Sequence, residues 1–287
     1  MPEQAPGQAP GQAPEQAGGQ RGQAGEHGAG PDRSVLRLSG RDCRGFLQGL
    51  VTNDVRRLDA GTVYAALLTP QGKYLADFLL VAEGDDVLLD VAAPFADDLV
   101  RRLSLYRLRA DVTIAPSDLR VIRGHGPAPA GALADPRHPS LGWRLYAPAA
   151  GPAPAPDHDA AEDGKSADAG WDAIRVEACI PESGVELVPG ASFILECGFE
   201  RLNGVDFRKG CYVGQEVTAR MKHKTDLRKG LAVVTVDGAA PVGTEILSAG
   251  RPAGVLYTQA GGRGIAWLRF DRADGPLVAG TARLTLA

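Results

Sequence analysis

Two stretches that lack apolar side chains limit what this chain can fold into. Residues 1–32 are mostly Gln, Pro, Gly and Ala, and residues 147–170 contain no Val, Ile, Leu or aromatic residue. Such segments bury too little apolar surface to offset the entropy that ordering would cost. We therefore expect a disordered tail over 1–32, a flexible linker over 147–170, and folded chain at roughly 33–146 and 171–287.

Composition and charge exclude several classes of protein. No apolar run is long enough for a membrane-spanning helix and no basic start precedes an apolar run, so we predict a cytoplasmic location. The four cysteines form no Cys-x-x-Cys pair, which argues against a disulfide scaffold or a zinc ribbon. The formal net charge of −4 argues against a globally basic nucleic-acid-binding protein.

The first folded block alternates between strand and helix patterns. Two apolar strands flank a Pro-Gln-Gly-Lys turn, which predicts a hairpin turned by Gly72. A helix with Cys43 and Leu47 on its apolar side is expected after Ser39 as N-cap, and a second helix starts at Pro94. The predicted strands, with the two helices between them, are 35–38, 62–69, 74–81, 87–91 and 107–114. Because these strands pair as hairpins, an antiparallel α+β fold follows.

The second folded block begins with a helix and ends in closely spaced short strands. The helix covers 171–179 and is stopped by Pro181. After Gly230, turns containing glycine separate the strands at intervals of about a dozen residues. This spacing is typical of a small antiparallel β-barrel, which we place at 229–287. The predicted strands are 231–236, 245–247, 255–258, 264–268 and 282–286.

The densest chemistry surrounds Cys211. Gly210 and Gly214 bracket this cysteine, which precedes a helical pattern and lies beside Arg208 and Lys209. A helix N-terminus and cationic neighbours both favour the thiolate, the form that acts as nucleophile and metal ligand. The alternative is a buried cysteine that packs as a small hydrophobic residue. The glycines and cations favour a functional thiol here, whereas the other three cysteines have the apolar surroundings of structural residues.

The same segment is basic. Seven Lys or Arg and two acidic residues lie between Arg208 and Lys229, in a chain of net charge −4. This local excess suits a polyanionic small molecule or RNA phosphates. A solvated helix face with basic residues near its C-terminus explains the pattern equally well. No aromatic residue lies between Tyr212 and Lys229, which argues against stacking on single-stranded nucleic acid.

One acidic residue lies inside an apolar strand. Asp77 follows the turn at Gly72, and alternation places it on one face with Leu75 and Leu79. Burial would raise the pKa of its carboxyl group unless hydrogen bonds hold the charge. The alternative is an edge-strand residue that points to water, which these apolar neighbours disfavour.

The residues around Cys211 resemble a known family. The K-G-C-Y-x-G-Q-E signature of the YgfZ-type folate-binding proteins matches Lys209-Gly210-Cys211-Tyr212-Val213-Gly214-Gln215-Glu216. These proteins are iron–sulfur cluster assembly and repair factors related to the glycine-cleavage T-protein, an aminomethyltransferase. Five further segments resemble the family in the expected order, so that the resemblance covers about residues 33–287. They are 46–54, 68–73, 135–137, 141–144 and 180–182.

The resemblance implies a fold and a ligand. The fold is a T-protein-like folate-binding region of two related antiparallel α+β subdomains over 33–228, followed by the C-terminal β-barrel, around a central channel. The ligand is tetrahydrofolate or a derivative, with its pterin in an apolar pocket and its glutamate tail towards basic groups. We expect Asp77 and Arg144 to contact it.

The resemblance also implies a site and partners. The functional thiol is Cys211, with Lys209 beside it. The rest of the motif comprises Gly210, Tyr212, Gly214, Gln215 and Glu216. The process is assembly or repair of iron–sulfur clusters, so the partners are a reduced folate and iron–sulfur client enzymes rather than a membrane or a nucleic acid.

The chain departs at two positions from the pattern that the resemblance predicts. The T-protein has two adjacent acids in the strand after the glycine turn, one of them catalytic, and here Ala76 takes the first place beside Asp77. Cys179 stands where the family usually has Gly before Ile-Pro-Glu. We therefore expect a folate-binding accessory protein rather than a classical enzyme. A tetrahydrofolate-dependent aminomethyl- or methyltransferase and an RNA-associated protein are the alternatives.

Overall fold

A five-stranded antiparallel sheet organises the first part of the chain. The computed structural model describes residues 32–150, 164–224 and 227–287. The strands of this sheet are β1 (Arg33–Ser39), β2 (Val63–Leu68), β3 (Tyr74–Glu83), β4 (Asp86–Ala92) and β5 (Thr113–Pro116). They lie in the order β2-β3-β4-β1-β5. Helices α1 (Cys43–Gln48) and α2 (Ala96–Arg107) cover one face, where Leu47, Leu99 and Phe78 are fully buried together.

The other face of this sheet carries a second, smaller sheet. Its strands are β6 (Leu119–Gly124), β7 (Leu133–Ala134) and β8 (Trp143–Pro148), in the order β6-β8-β7. Val35 and Leu88 of the first sheet pack against Val121 and Tyr146 of the second. Two antiparallel sheets thus meet through a small apolar layer.

A long irregular segment covers the β2–β3 hairpin on the same side. It lies between α3 (Gly164–Glu177) and α4 (Gln215–Lys224). Its apolar side chains, such as Phe199 and Leu202, form a core with Tyr64 of the hairpin. The rings of Tyr64 and Phe199 stack with centroids 5.0 Å apart. This packing places the Cys211 motif against the hairpin turn.

The C-terminal part is a closed antiparallel β-barrel. Its strands are β9 (Lys229–Asp237), β10 (Thr244–Ser248), β11 (Arg251–Ala260), β12 (Arg263–Arg269), β13 (Leu277–Ala279) and β14 (Ala282–Leu286). They run in the order β10-β11-β12-β9-β14-β13, and β13 pairs with β10 to close the barrel. The interior is filled by small and branched side chains such as Val234, Ile246 and Leu268.

These features confirm the predicted architecture of an antiparallel α+β body with a C-terminal β-barrel. The hairpin turn also forms as predicted: Gly72 has a φ of +76°, and its N–H donates to the carbonyl of Thr69 at 2.8 Å. Within the described residues, no helix is long and apolar enough to cross a membrane.

Two local predictions in the first block are wrong. Ser39 ends β1 rather than capping α1, because Gly40 turns the chain at a φ of +111° and Asp42 takes the cap position. The strand predicted at 107–114 is also too long. Helix α2 continues to Arg107 and is followed by Leu108, which has a φ of +42°. Only Thr113–Pro116 forms a strand.

The predicted linker is wrong at both of its ends. Strand β8 reaches Pro148 and helix α3 begins at Gly164, so both elements enter the range 147–170. Alanine supports a helix without any apolar stripe, which explains why the composition did not reveal the start of α3. Residues 151–163, like nearly all of the predicted tail at 1–32, lie outside the described residues.

Candidate functional site: the Cys211 loop and an arginine-lined cleft

Residues 207–214, here called the Cys211 loop, lie against the β2–β3 turn. Gly214 has a φ of +83°, and a Cβ added there would lie 2.6 Å from the carbonyl oxygen of Thr69. A Cβ on Gly72 of the turn would lie 2.8 Å from the Cβ of Val217 in α4. The loop therefore packs its backbone against the turn at Gly214, and α4 packs a side chain against the turn at Gly72, so that glycine is needed at both positions.

Lys209 anchors the loop from inside. Its side chain is buried, with an exposed fraction of 4%, and its Nζ donates to the carbonyl oxygens of Val51 at 2.5 Å and Asn53 at 2.8 Å. Burial lowers the pKa of Lys209 to about 8, although the nearby carboxylates of Asp54 and Asp206 oppose this shift. The sequence placed this charge beside the Cys211 thiol, but the structure directs the ammonium group away to two backbone carbonyls.

The rest of the motif divides into packing and solvent-facing residues. Tyr212 is buried, and burial raises its pKa to about 12. Gly210 lies in open space, since a Cβ added there would meet no atom within 4 Å. Gln215 and Glu216 form the first turn of α4, where the exposed carboxylate of Glu216 faces the positive end of the helix dipole. Helix α4 thus begins four residues after Cys211, close to its predicted start.

Cys211 is the one exposed cysteine of the four. The other three are buried or partly buried. Burial raises the pKa of Cys179 to about 11, that of Cys197 to about 12, and that of Cys43 above its ordinary value. Those three therefore remain protonated and inert near neutral pH. Of the four cysteines, only Cys211 presents its side chain freely to solvent.

The second candidate site, here called the arginine cleft, lies between the second sheet, α3 and the segment after it. Its walls bring together Asp77 and Arg144, the two side chains that the resemblance assigned to a ligand. The lining residues are Arg33, Asp77, Arg123, Arg137, Arg144, Trp171, Arg175, Ile180, Pro181, Glu182 and Ser183. Most of these are charged, so the lining of this cleft is not apolar, and the apolar pocket expected for a pterin stays a prediction. Cys211 is not among them.

Asp77 is buried and saturated with hydroxyl donors. Its carboxylate accepts hydrogen bonds from Tyr74 Oη at 2.6 Å, Tyr64 Oη at 2.9 Å and Ser183 Oγ at 2.5 Å. Burial raises the pKa of both tyrosines well above 10, and the charge of Asp77 adds to this effect. The hydroxyl groups therefore stay protonated and can donate to the buried carboxyl group of Asp77.

Arg144 belongs to a buried chain of alternating charges. It is 1% exposed and donates to Asp90 at 2.7 Å and Asp135 at 2.9 Å. Arg33 pairs with Asp90 at 2.5 Å from one end, and Arg137 pairs with Asp135 at 2.7 Å from the other. Burial alone would raise the pKa of the two carboxyl groups, but their arginine partners hold both below the ordinary range.

A second ion-pair group connects the cleft to the β-barrel. Arg175 donates to Glu186 at 2.6 Å and also pairs with Glu182 at 2.8 Å. The other carboxylate oxygen of Glu186 accepts from Thr258 Oγ1 of β11 at 2.6 Å. Sequence reasoning missed Arg175 and Glu186. The one available signal was the Ile-Pro-Glu segment that ends in Glu182.

Arg123 stacks on an aromatic ring at the edge of the cleft. Its guanidinium carbon lies 4.7 Å from the ring centroid of Trp171. Burial lowers the pKa of Arg123 to about 9, and the charges of Arg144 and Arg33 act in the same direction. The free volume between the walls is about 20 Å³, room for about one water molecule. The cleft is thus narrow, and its charges are largely compensated.

Comparisons with known proteins place these features in context. Residues 228–287 match the family model described as the CAF17 C-terminal beta-barrel domain. The human mitochondrial iron–sulfur cluster assembly factor IBA57 is 32% identical to this chain over 283 residues, covering 85% of the chain and 78% of the human protein. A homologue of that factor from Mycosarcoma maydis is 34% identical over 222 residues, covering 69% of this chain and 54% of the fungal protein.

A solved structure shares the fold. The glycine cleavage system aminomethyltransferase T from Bartonella henselae superposes with a TM-score of 0.68 and covers 88% of this chain and 81% of its own. The sequence identity is 14%, so this likeness concerns the fold alone.

Proposed function

Because the chain belongs to the family of iron–sulfur cluster assembly factors that includes human IBA57, we propose that the thiol of Cys211 is the group through which it acts on clusters. A role in iron–sulfur cluster assembly follows from this membership, and such a role implies iron–sulfur client proteins. The narrower YgfZ-type assignment and the use of the motif residues belong to the proposal.

The exposure of Cys211 carries this proposal. Iron–sulfur clusters are held by thiolates, usually four of them. Cys211 can offer one, because the other three cysteines of the chain are wholly or partly buried and protonated. The remaining ligands must then come from a second molecule, so that Cys211 would meet the cluster as cargo at an interface.

A complementation experiment tests the role of Cys211. A strain that lacks its own family member receives the wild type, Cys211→Ser, or the control Cys179→Ser, and the activities of iron–sulfur enzymes are measured. We expect Cys211→Ser to accumulate to normal levels, because oxygen replaces sulfur without creating a cavity. It should nevertheless fail to support these enzymes, because the thiol is gone. Cys179→Ser should retain it. Full activity of Cys211→Ser would refute the proposal.

We also propose that the arginine cleft binds a reduced folate. The lining suits such a ligand in charge, since Asp77 could accept from a pterin N–H group in place of one of its hydroxyl donors, and Arg123 at the edge of the cleft can pair with a glutamyl carboxylate. The walls must separate to admit the ligand, because the free volume is about 20 Å³.

Calorimetry with tetrahydrofolate tests this second proposal. We expect the wild type to bind and Asp77→Asn to bind at least about tenfold more weakly, because an amide offers one acceptor oxygen where the carboxylate offers two. Asp85→Asn, in an exposed turn, is the control. Absence of binding at millimolar tetrahydrofolate would overturn the proposal.

Transfer of a one-carbon unit does not form part of the proposed function. Where the T-protein has an acidic residue, this chain has Ala76, a buried residue of β3 without an ionisable group. The cytoplasmic location stays a prediction, since the related assembly factors carry the word mitochondrial in their names.

A further inference from the structure

The C-terminal end of α2 exposes large apolar side chains. The helix buries Leu99 and Leu103 on one side, whereas Leu105 and the following Leu108 have exposed fractions of 73% and 89%. These two are the most exposed large apolar residues of the described chain, and Tyr106 between them is 39% exposed. Because so little protein surrounds the two leucines, this surface protrudes and does not form a groove. Clustered apolar side chains mark an interaction site more often than isolated ones do.

Leu108 is also held in an unfavourable backbone conformation. It follows the last residue of α2 with a φ of +42° and a ψ of −103°. Glycine is the residue that usually ends a helix at positive φ, because a Cβ is strained there. Leu108 makes little packing contact in exchange, since its side chain is almost wholly exposed. Strain without a compensating contact in the fold points to a role outside it.

Arginines flank these side chains, and two of them carry charge that the described chain does not neutralise. Arg107 and Arg109 are exposed and form no ion pair with any described residue. The other two arginines of this stretch, Arg101 and Arg102, both pair with Asp98 of the same helix. The surface around the leucines is therefore positive, which favours an anionic binding partner.

We propose that residues 105–109, here called the α2 tip, insert into the surface of a membrane that contains anionic lipids. The two leucines enter the boundary between headgroups and acyl chains, Tyr106 contributes the amphipathic ring that is common at this depth, and the two arginines lie among the headgroups. A fluid bilayer closes around protruding side chains, whereas a protein partner would need a matching pocket. No membrane was expected among the partners, because the sequence contains no run long enough to span one, but a peripheral contact needs no such run. This inference rests on neither Cys211 nor the arginine cleft.

Sedimentation of the full chain with sucrose-loaded vesicles tests the proposal. The anionic vesicles are phosphatidylcholine with about 30% phosphatidylglycerol, and the comparison vesicles are phosphatidylcholine alone. We expect the wild type to partition onto the anionic vesicles at low salt, and to do so more weakly at high salt or onto phosphatidylcholine. Failure of the wild type to sediment with the anionic vesicles would overturn the inference.

Leu108→Gly separates insertion from folding. Glycine relieves the strain at positive φ, so this variant should melt at the temperature of the wild type or higher, and yet it should bind the anionic vesicles more weakly. The double variant Leu105→Ser/Leu108→Gly should lose at least about tenfold in partition, because both leucines leave the bilayer. The matched control is Val242→Ser/Leu286→Ser, which removes two exposed apolar side chains of the C-terminal part and should bind like the wild type. Equal partition of these two double variants would contradict insertion of the α2 tip.

The charge of the α2 tip is tested by Arg107→Glu/Arg109→Glu. We expect this variant to lose at least about tenfold in partition onto the anionic vesicles at low salt. The control Arg251→Glu/Arg283→Glu makes the same change in net charge at two exposed arginines of the β-barrel and should retain binding. If the wild type does not bind vesicles while Leu105→Ser/Leu108→Gly fails in the complementation experiment, the α2 tip docks a protein and the membrane proposal is wrong.

Discussion

Two glycines bracket Cys211, and the structure constrains only one of them. Replacing each by alanine should therefore have different effects on stability. Gly214 has a φ of +83° and touches the backbone of the β2–β3 turn. Gly210 does not have a positive φ, and a Cβ there would meet nothing within 4 Å. Gly210→Ala is therefore a control that differs from Gly214→Ala by four positions in the same loop.

Two costs add up for Gly214→Ala. A residue other than glycine in the left-handed region costs about 1–2 kcal/mol. The new methyl carbon would lie 2.6 Å from the Thr69 carbonyl oxygen, which is backbone and must shift. Overpacking of this kind costs about 1–3 kcal/mol. We expect the free energy of unfolding to fall by about 2–5 kcal/mol in total, whereas Gly210→Ala should leave it unchanged or raise it by up to about 1 kcal/mol.

Urea titration followed by tryptophan fluorescence measures both effects. If the slope of the transition is the same for all three proteins, the shift in midpoint reports the change in stability. In a body of this size, a loss of about 3 kcal/mol corresponds to a fall in Tm of roughly 6–12 °C. Equal midpoints for Gly214→Ala and Gly210→Ala would refute the argument that the hairpin turn holds the Cys211 loop.

Three further predictions concern reactivity, assembly and pH. A neutral alkylating reagent at pH 7 should label Cys211 before the other three cysteines, because only Cys211 is exposed. Mass spectrometry that finds any of the other three labelled faster than Cys211 would contradict this prediction. Glu186→Gln should lower the free energy of unfolding by about 3–5 kcal/mol, because it breaks the buried ion pair with Arg175 and weakens the hydrogen bond from Thr258. A melting curve like that of the wild type would disprove this. Burial lowers the pKa of Lys209 from 10.5 to about 8, so between these pH values the unfolded chain binds more protons than the folded one. The free energy of unfolding should therefore rise with pH in this range, by up to about 3 kcal/mol relative to Lys209→Met. Parallel curves of stability against pH for the two proteins would rule this out.

Periodicity identified most of the strands, and the elements it missed have physical reasons. Strand β13, Leu277–Ala279, has three residues and no alternation long enough to detect. The second sheet was not identified because its first strand, Leu119–Gly124, is only half-buried along its length and carries two arginines. Helix α3 begins in sequence with no apolar stripe, and the glycine at position 40, rather than Ser39, sets the start of α1.

The roles of the motif residues stay predictions, but the structure shows where their side chains lie. Cys211 is exposed, whereas the charge of Lys209 turns inward to the backbone of Val51 and Asn53, which the sequence did not reveal. Charged residues usually indicate surface, so a fully buried arginine such as Arg144 cannot be recognised until its carboxylate partners are in place. Those partners, Asp90 and Asp135, are 54 and 9 residues away along the chain.

The chain of buried charges through Arg144 has a consequence for how the body unfolds. Arg33 and Asp90 sit on the five-stranded sheet, whereas Arg144 and Asp135 sit on the smaller sheet and the turn beside it. Separating the sheets would break the ion pair between Arg144 and Asp90 and expose the apolar layer between the sheets, and losing one partner of a buried pair costs about 3–5 kcal/mol. Neither sheet can melt while the other persists, so the two should form one cooperative unit with a single calorimetric transition.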